Sequence, residues 1–137
     1  MEDFKEERWV SVERINEIFA GKIITNISGL KLESDGVTFH FEEEEFYMSH
    51  EQYCCESVYV EDINGDTNLA GATFYEIIEK DCDREALDEN EESYTWTFYT
   101  IKTSKGYLDI RWYGASNGYY SEQVDFSIKY LENKGVK

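Results

Sequence analysis

Residues 11–28 read SVERINEIFAGKIITNIS, and this stretch contains the change of period that decides the fold. Its apolar side chains first recur at helical spacing: Val12, Ile15, Ile18 and Phe19. Ser11 suits the N-cap and Gly21 the position just past the helix end, while Trp9 is expected to pack onto the first turn. From residue 22 apolar and polar residues alternate, as in a strand. The stretch therefore predicts an N-terminal amphipathic helix followed by β-structure.

The strand period continues along the rest of the chain. Residues 37–41 alternate apolar and polar side chains, and Asp35-Gly36 before them predicts a tight hairpin turn. Further strands are predicted at 22–28, 30–33, 57–63, 73–79, 94–102, 106–113 and 122–131, and the acidic stretch 81–92 is predicted to be a solvated connection. We expect one α+β domain over 1–137, with its core at about 10–131. The helix is expected to pack on a largely antiparallel, multi-stranded sheet.

Charge is distributed unevenly along this acidic chain. The 137 residues include 13 basic and 30 acidic side chains, giving a net charge of −17. A charge of this sign repels nucleic acid and anionic lipid, so we expect neither as a partner. Residues 1–92 carry a net charge of −19, whereas residues 93–137 carry six basic and four acidic side chains. The last third is therefore where a small anion is expected to bind.

The cysteines and the apolar segments indicate a cytoplasmic protein. Cys54, Cys55 and Cys82 do not form an even, spaced framework, so we expect three reduced thiols. The N-terminus is charged throughout and does not resemble a secretory signal. No apolar run approaches the roughly 20 residues of a membrane span.

The sequence offers no catalytic constellation. A metal site would take His50, Cys54 and Cys55 as ligands. Adjacent residues in extended backbone point to opposite faces, however, so both thiols cannot easily reach one ion. A small, buried, apolar role for Cys54 or Cys55 is the better interpretation. We therefore predict a protein that is not an enzyme and holds no metal or cofactor.

Residues 110–121, IRWYGASNGYYS, are the densest candidate site. An arginine there can fork onto a phosphate, and a Ser-Asn-Gly turn can present backbone N–H groups to an anion. Aromatic rings, including one from strand 94–102, offer surface for stacking a base. A plain hairpin turn flanked by strand residues is the alternative interpretation. The predicted ligand-binding residues are Arg111, Trp112, Ser116, Asn117, Gly118, Tyr119 and Trp96.

Four segments together resemble a small domain family common in phages and prophages. They are HEQYCCESV (50–58), EDINGD (61–66), RWYG (111–114) and SNGYYS (116–121), with Leu69 and Gly71 between them. The resemblance spans residues 15–128. This family includes the phage anti-Thoeris sponges, which bind cyclic ADP-ribose isomers made by bacterial TIR immune enzymes and sequester them without cleavage. The resemblance implies binding of a cyclic nucleotide in the host bacterial cytoplasm, with Arg111 and 116–119 as matching site residues.

Two further expectations concern partners. The resemblance implies a homo-oligomer, either a dimer or a hexamer. An aromatic content of 16% agrees with this, since surplus rings favour interfaces. The carboxylates of 42–45 and 81–92 favour an alternative function, an acidic inhibitor that mimics nucleic acid and binds a host defence protein.

Overall fold

A computed structural model describes residues 4–51, 55–81, 84–118 and 121–131. These residues form one helix and a series of strands joined by short connections. In chain order the elements are β1 (Phe4–Val10), α1 (Val12–Phe19), β2 (Asn26–Ser28), β3 (Gly36–His40), β4 (Glu44–Ser49), β5 (Ser57–Gly65), β6 (Phe74–Asp81), β7 (Ser93–Thr103), β8 (Gly106–Ser116) and β9 (Asp125–Leu131).

The strands divide into two sheets. The first has the order β1-β9-β4-β3-β2 and the second β5-β8-β7-β6. All of the described pairs are antiparallel. The α+β class with one N-terminal helix is confirmed, although two sheets replace the single sheet that we expected.

Helix α1 begins and ends where its sequence predicts. The Ser11 hydroxyl accepts a hydrogen bond from the Arg14 backbone N–H at 3.0 Å, and Gly21 takes φ +90° just past the last turn. Ile15 and Phe19 are fully buried. The expectation for Trp9 is wrong: its side chain is 60% exposed and lies against Arg8, because a φ of +55° turns it away from the helix.

The charged N-terminal segment is a strand that the sequence analysis did not predict. β1 pairs with β9 from Phe4 to Val10, ahead of the expected start of the core. Arg14 of α1 forks onto the Glu7 carboxylate with bonds of 3.0 and 2.9 Å, and Tyr130 donates a third at 2.7 Å. The hydrogen bonds from Arg14 and Tyr130 hold the pKa of Glu7 below its usual value. Charges of this kind are common on edge strands, where they discourage aggregation.

Two predicted details between β2 and β3 are wrong. Residues 30–33 form turns rather than a strand, with Leu32 59% exposed. Gly36 begins β3 instead of turning a hairpin, and the reversal falls on Gly29 and Glu33, at φ +77° and +67°. A side chain at Gly29 would meet the Gly36 carbonyl oxygen at 2.2 Å, so this close approach requires glycine.

The predicted strand 22–28 pairs with residues of both sheets. Ile23 forms a bridge with Thr73 beside β6, whereas Asn26–Ser28 pairs with β3. Further along that edge of β6, the Asn16 amide of α1 donates to the Ile77 carbonyl at 3.0 Å and accepts from its N–H at 2.8 Å. The helix thus closes part of an edge that would otherwise be open to another strand.

The core lies between the two sheets and takes residues from α1 as well. Phe46 of β4 is fully buried at its centre. The ring centroids of its neighbours lie 4.8–6.3 Å away: Phe19, Phe39, Phe41, Phe74 and Phe126. Both sheets therefore pack on one apolar cluster.

Two further findings concern the expectations of reduced thiols and of no membrane span. Cys55 is disulfide-bonded, so the prediction of three free thiols is wrong. The other two cysteines, Cys54 and Cys82, lie outside the described residues. None of the helices in the described part of the chain is long and apolar enough to cross a membrane.

Candidate functional site

The four-stranded sheet has a second face, here called the outer face, which points away from the first sheet. Side chains alternate along β7 and β8, so Tyr99 and Ile110 enter the core between the sheets. Their neighbours form a separate aromatic cluster on the outer face: Trp96, Tyr113 and Ala115, with Tyr59 and Phe98 packed against them. The outer face is therefore aromatic as well, and neither of the two sheets that the structure describes covers it.

Register places one row of charged and aromatic residues across this face. Lys80 of β6 lies opposite Phe98 of β7, and Phe98 lies opposite Arg111 of β8. Asp62 of β5 lies opposite Arg111 and completes the row. Cross-strand partners share a face and sit about 5 Å apart, so Lys80 and Arg111 flank Phe98 at about 10 Å from each other.

A second arginine joins this row from outside the sheet. The Arg84 guanidinium lies 5.1 Å from the Trp96 ring centroid and 5.9 Å from that of Phe98. The Arg111 guanidinium lies 5.0 Å from the Phe98 ring centroid. We call Lys80, Arg84 and Arg111 the cation cluster. Its members surround Phe98 on a chain whose net charge is −17.

The cation cluster is only partly neutralised by its own protein. Arg111 Nη1 donates to Asp62 Oδ2 at 3.2 Å, and the two side chains remain 30% and 47% exposed. Within the described part of the chain, neither Lys80 nor Arg84 forms an ion pair. Arg111 keeps further N–H donors beside the one that Asp62 uses. Arg111 can therefore accept an anion without losing its bond to Asp62.

Trp96 and Arg111 are the two predicted site residues that the structure brings to this face. Trp96 is 6% exposed, and its Nε1 donates to the Glu85 carbonyl at 3.1 Å. Its ring packs edge-on against Tyr113, with centroids 4.8 Å apart. Burial, and then a hydrogen bond to Glu91, raise the pKa of the Tyr113 phenol, so this group stays protonated.

Trp112 does not belong to this site. It neighbours Arg111 in β8 and therefore points to the opposite face, where it is 1% exposed in the core. Its Nε1 is the buried side-chain polar atom without a hydrogen-bond partner in the described part of the chain. The structure therefore does not bring Trp112 and Arg111 together, because residues one apart on a strand point to opposite faces.

The predicted Ser-Asn-Gly element also lies elsewhere. β8 runs on through Gly114 to Ser116, so the expected turn is shorter than predicted. Ser116 is five residues from Arg111, about 16 Å along the strand, and on the other face. Asn117 and Gly118 follow it as an exposed turn, and Tyr119 lies outside the described residues.

Ser116 is already committed to a hydrogen-bond network. Its hydroxyl donates to Glu122 Oε2 at 2.6 Å and accepts from the Gly118 N–H at 2.9 Å. Thr95 donates to the other carboxylate oxygen of Glu122 at 2.7 Å. Burial raises the pKa of Glu122, but hydrogen bonds from Ser116, Ser93 and Thr95 outweigh it and hold the pKa below its usual value. This network folds the loop after β8 back onto the sheet and leaves no phosphate donor at Ser116.

His50 lies in a buried pair beside the residues that lead from β8 into β9. Nε2 of His50 is 2.8 Å from Glu56 Oε2, and the two side chains are 3% and 0% exposed. Nδ1 donates to the Gln123 carbonyl at 2.8 Å. Both ring nitrogens are therefore used, and neither remains for a metal or a substrate proton. Among the described residues, no group of three His, Cys, Asp or Glu side chains is placed to hold a metal ion.

Two surface clefts have the wrong charge for an anion. A cleft of about 640 Å³ is lined by Lys22, Ile23, Phe41 and the glutamates of 42–44, where Lys22 pairs with Glu44. A smaller one of about 370 Å³ lies beside Tyr59 and is lined by Glu33 and Asp35. Carboxylate walls repel phosphate, so the cation cluster is the better candidate anion site.

Comparison with known proteins shows the family. The model of a domain of unknown function, DUF7448, matches residues 14–126. The chain belongs to the DUF7448 family. The matched residues include every member of the cation cluster and of the aromatic cluster. No curated protein and no solved structure gives a significant match.

Sequence analysis missed Lys80, Arg84, Asp62 and Phe98. Lys80 and Arg84 lie in the acidic part of the chain, so dividing the charge by thirds of the sequence concealed them. Phe98 continues the alternation of Tyr94 and Trp96, so the sequence pattern alone could have placed it on the same strand face as Trp96. Only the strand register shows that these residues lie beside Arg111.

Proposed function

We propose that this DUF7448 protein binds a cyclic nucleotide, such as a cyclic ADP-ribose isomer, and sequesters it without cleavage. The observation that carries the proposal is the cation cluster around Phe98, next to the rings of Trp96 and Tyr113. Phosphate and a planar base are the two chemical features that such a surface recognises. The ligand is an intracellular signal, so the proposal places the protein in the cytoplasm of the host bacterium.

Charge and shape both support this ligand class. A guanidinium is planar, so it can lie over a ring and still fork onto a phosphate. Arg111 and Arg84 have this placement over Phe98 and Trp96. Strand spacing puts the Cα atoms of Lys80 and Arg111 about 10 Å apart, so the long side chains of both can reach one diphosphate from either side.

The groups described around the cluster support binding without turnover. The row from Lys80 to Asp62 consists of a lysine, a phenylalanine, an arginine and an aspartate, with no imidazole or thiol among them. His50 has both ring nitrogens engaged. To sequester a signal, the protein must bind it with a dissociation constant of about 1 nM, which corresponds to a binding free energy of about −12 kcal/mol. That affinity requires several contacts at once.

Substitution of Arg111 is the direct test. Arg111→Ala is expected to weaken binding of a cyclic ADP-ribose isomer about 10- to 100-fold, because a charge-assisted hydrogen bond contributes about 1.5–3 kcal/mol. Arg111→Lys is expected to lose much of the affinity too, since an ammonium cannot fork. Isothermal titration calorimetry on wild type and both variants measures this.

Arg8 provides a matched control on the first sheet. Its guanidinium also bonds one carboxylate, Glu51, at 3.2 Å and also lies over a ring, Trp9, at 4.8 Å. Arg8→Ala is expected to bind as wild type does. Equal binding by wild type and Arg111→Ala would remove Arg111 from the site. No binding by wild type to any isomer or cyclic dinucleotide would favour the acidic inhibitor instead.

We also propose that the protein is a homo-oligomer, a dimer or a hexamer. Tyr75, Tyr94 and Tyr107 are 54%, 40% and 51% exposed, and rings of this exposure are enriched at interfaces. Light scattering at micromolar concentration is expected to give a multiple of the 16.1 kDa chain mass. A mass of one chain would contradict this.

A further inference from the structure

Residues 84–91, here called the strap, cross the outer face above the aromatic cluster. They contain no described helix or strand, and Leu87 at their middle is 50% exposed. Beneath them Trp96 is 6% and Tyr113 is 1% exposed. The strap, rather than a packed element, is therefore what separates these two rings from solvent.

Two side chains hold the strap to the sheet. Trp96 Nε1 donates to the Glu85 carbonyl at 3.1 Å, and the Leu87 N–H donates to the Tyr113 phenol oxygen at 3.0 Å. The same phenol donates to the Glu91 carboxylate. Every hydrogen bond described between the strap and the sheet ends on Trp96 or Tyr113. Backbone ladder bonds play no part, and segments held in this way open at a lower free energy than core strands.

The closed strap leaves no free stacking face on Trp96. Arg84, the first residue of the strap, covers that ring at 5.1 Å, while Tyr113 and Phe98 meet it edge-on. The strap also carries the carboxylates of Glu85, Asp88, Glu89 and Glu91. A flat anionic ligand would have to displace this cover to reach the ring.

We propose that the strap is a lid that opens as a unit to admit the planar ring of the ligand onto Trp96. This rests on the proposed nucleotide-binding function. The closed strap and the bound ring compete for one surface, so the apparent affinity is reduced by the fraction of molecules in which the strap is open. Weakening the hydrogen bonds that hold the strap closed must then strengthen ligand binding.

Tyr113→Phe tests the lid because it removes the phenol oxygen and keeps the ring. One hydrogen bond to a backbone N–H and one to a carboxylate are lost, so the open population is expected to rise at least about 10-fold. Tyr59→Phe is the matched control: it removes a phenol from the same cluster, 6.0 Å from Tyr113 between ring centroids, that makes no described bond to the strap.

Two measurements keep the lid and the ligand separate. Hydrogen–deuterium exchange on the free protein is expected to be about 10-fold faster across 85–91 in Tyr113→Phe, and unchanged in β8 and in Tyr59→Phe. Calorimetry with a cyclic ADP-ribose isomer is expected to show binding several-fold tighter in Tyr113→Phe than in wild type.

Each outcome decides one claim. Strap exchange as slow as that of β8, and unaltered by Tyr113→Phe, would overturn the lid. If Tyr113→Phe speeds exchange in the strap but binds the nucleotide no more tightly than wild type, the claim that the ligand ring enters beneath the strap would be overturned. If neither protein binds any nucleotide, the proposed function fails, and the exchange result by itself then decides whether the strap opens.

Discussion

Replacing Glu56 with alanine is expected to lower the free energy of unfolding by about 3–5 kcal/mol. The Glu56 carboxylate is fully buried, and it lies 2.8 Å from Nε2 of a His50 ring whose Nδ1 must donate to the Gln123 carbonyl. Alanine would leave Nε2 buried without this partner and would also leave a cavity. The pair and its bond to Gln123 connect the end of β4, the start of β5 and the residues before β9. Glu56→Ala therefore removes a contact that holds the two sheets together. Urea denaturation followed by circular dichroism measures the loss.

Two variants control this prediction. Glu56→Gln is expected to recover most of the loss, because its amide N–H can donate to Nε2 of a neutral ring. Glu51→Ala removes a carboxylate from the exposed pair with Arg8, whose side chains are 52% and 47% exposed, and is expected to cost about 0–1 kcal/mol. A cost for Glu56→Ala as small as that for Glu51→Ala would show that the buried pair does not tie the sheets.

Phe46→Ala is expected to cost a similar amount, about 3–5 kcal/mol, for a different reason. Phe46 is fully buried, and its ring touches rings from α1, β3, β6 and β9 as well as Phe41. Its removal leaves a cavity bounded by both sheets and the helix, which cannot all relax into it. The free energy of unfolding from urea denaturation reports the effect.

Phe46→Leu separates the cavity from the general loss of apolar surface. Leucine refills part of the space, so this variant is expected to lose less than half as much stability as alanine. Leu32→Ala, at a site 59% exposed, is expected to stay within about 0.5 kcal/mol of wild type. A cost for Phe46→Ala no greater than that for Leu32→Ala would show that the cluster is not the centre of the core.

Local patterns predicted the elements with strong, self-contained signals. Helix α1 has its cap, its apolar spacing and its terminal glycine within eleven residues. β7 has long aromatic alternation, β8 alternates apolar and polar side chains over 107–112, and a turn at Ser104-Lys105 joins them. Strands without such a signal were missed. β1 is mostly charged, and its partner β9 lies more than a hundred residues away.

The candidate site was predicted less well, for a specific reason. Neighbouring residues of the sequence 110–121 were assumed to be neighbours in space, but Trp112 and Ser116 lie on the face opposite Arg111. Strand alternation was enough to separate Trp112 from Arg111. It was not enough to find Lys80 and Arg84, since their position beside Phe98 depends on pairing between distant segments.

By itself, the sequence determined the helix, the antiparallel strand-rich class and the parity that sets Trp96 and Phe98 on one face of β7. These depend on interactions within one helix or strand, where the number of residues between two side chains fixes their relative positions. The tertiary structure alone decided the division into two sheets, the burial of His50 with Glu56, and the gathering of Lys80, Arg84 and Arg111 around Phe98. Register and sheet partners are fixed by packing of the whole core, because a strand of given parity can pair in several alignments until its buried face meets the other sheet.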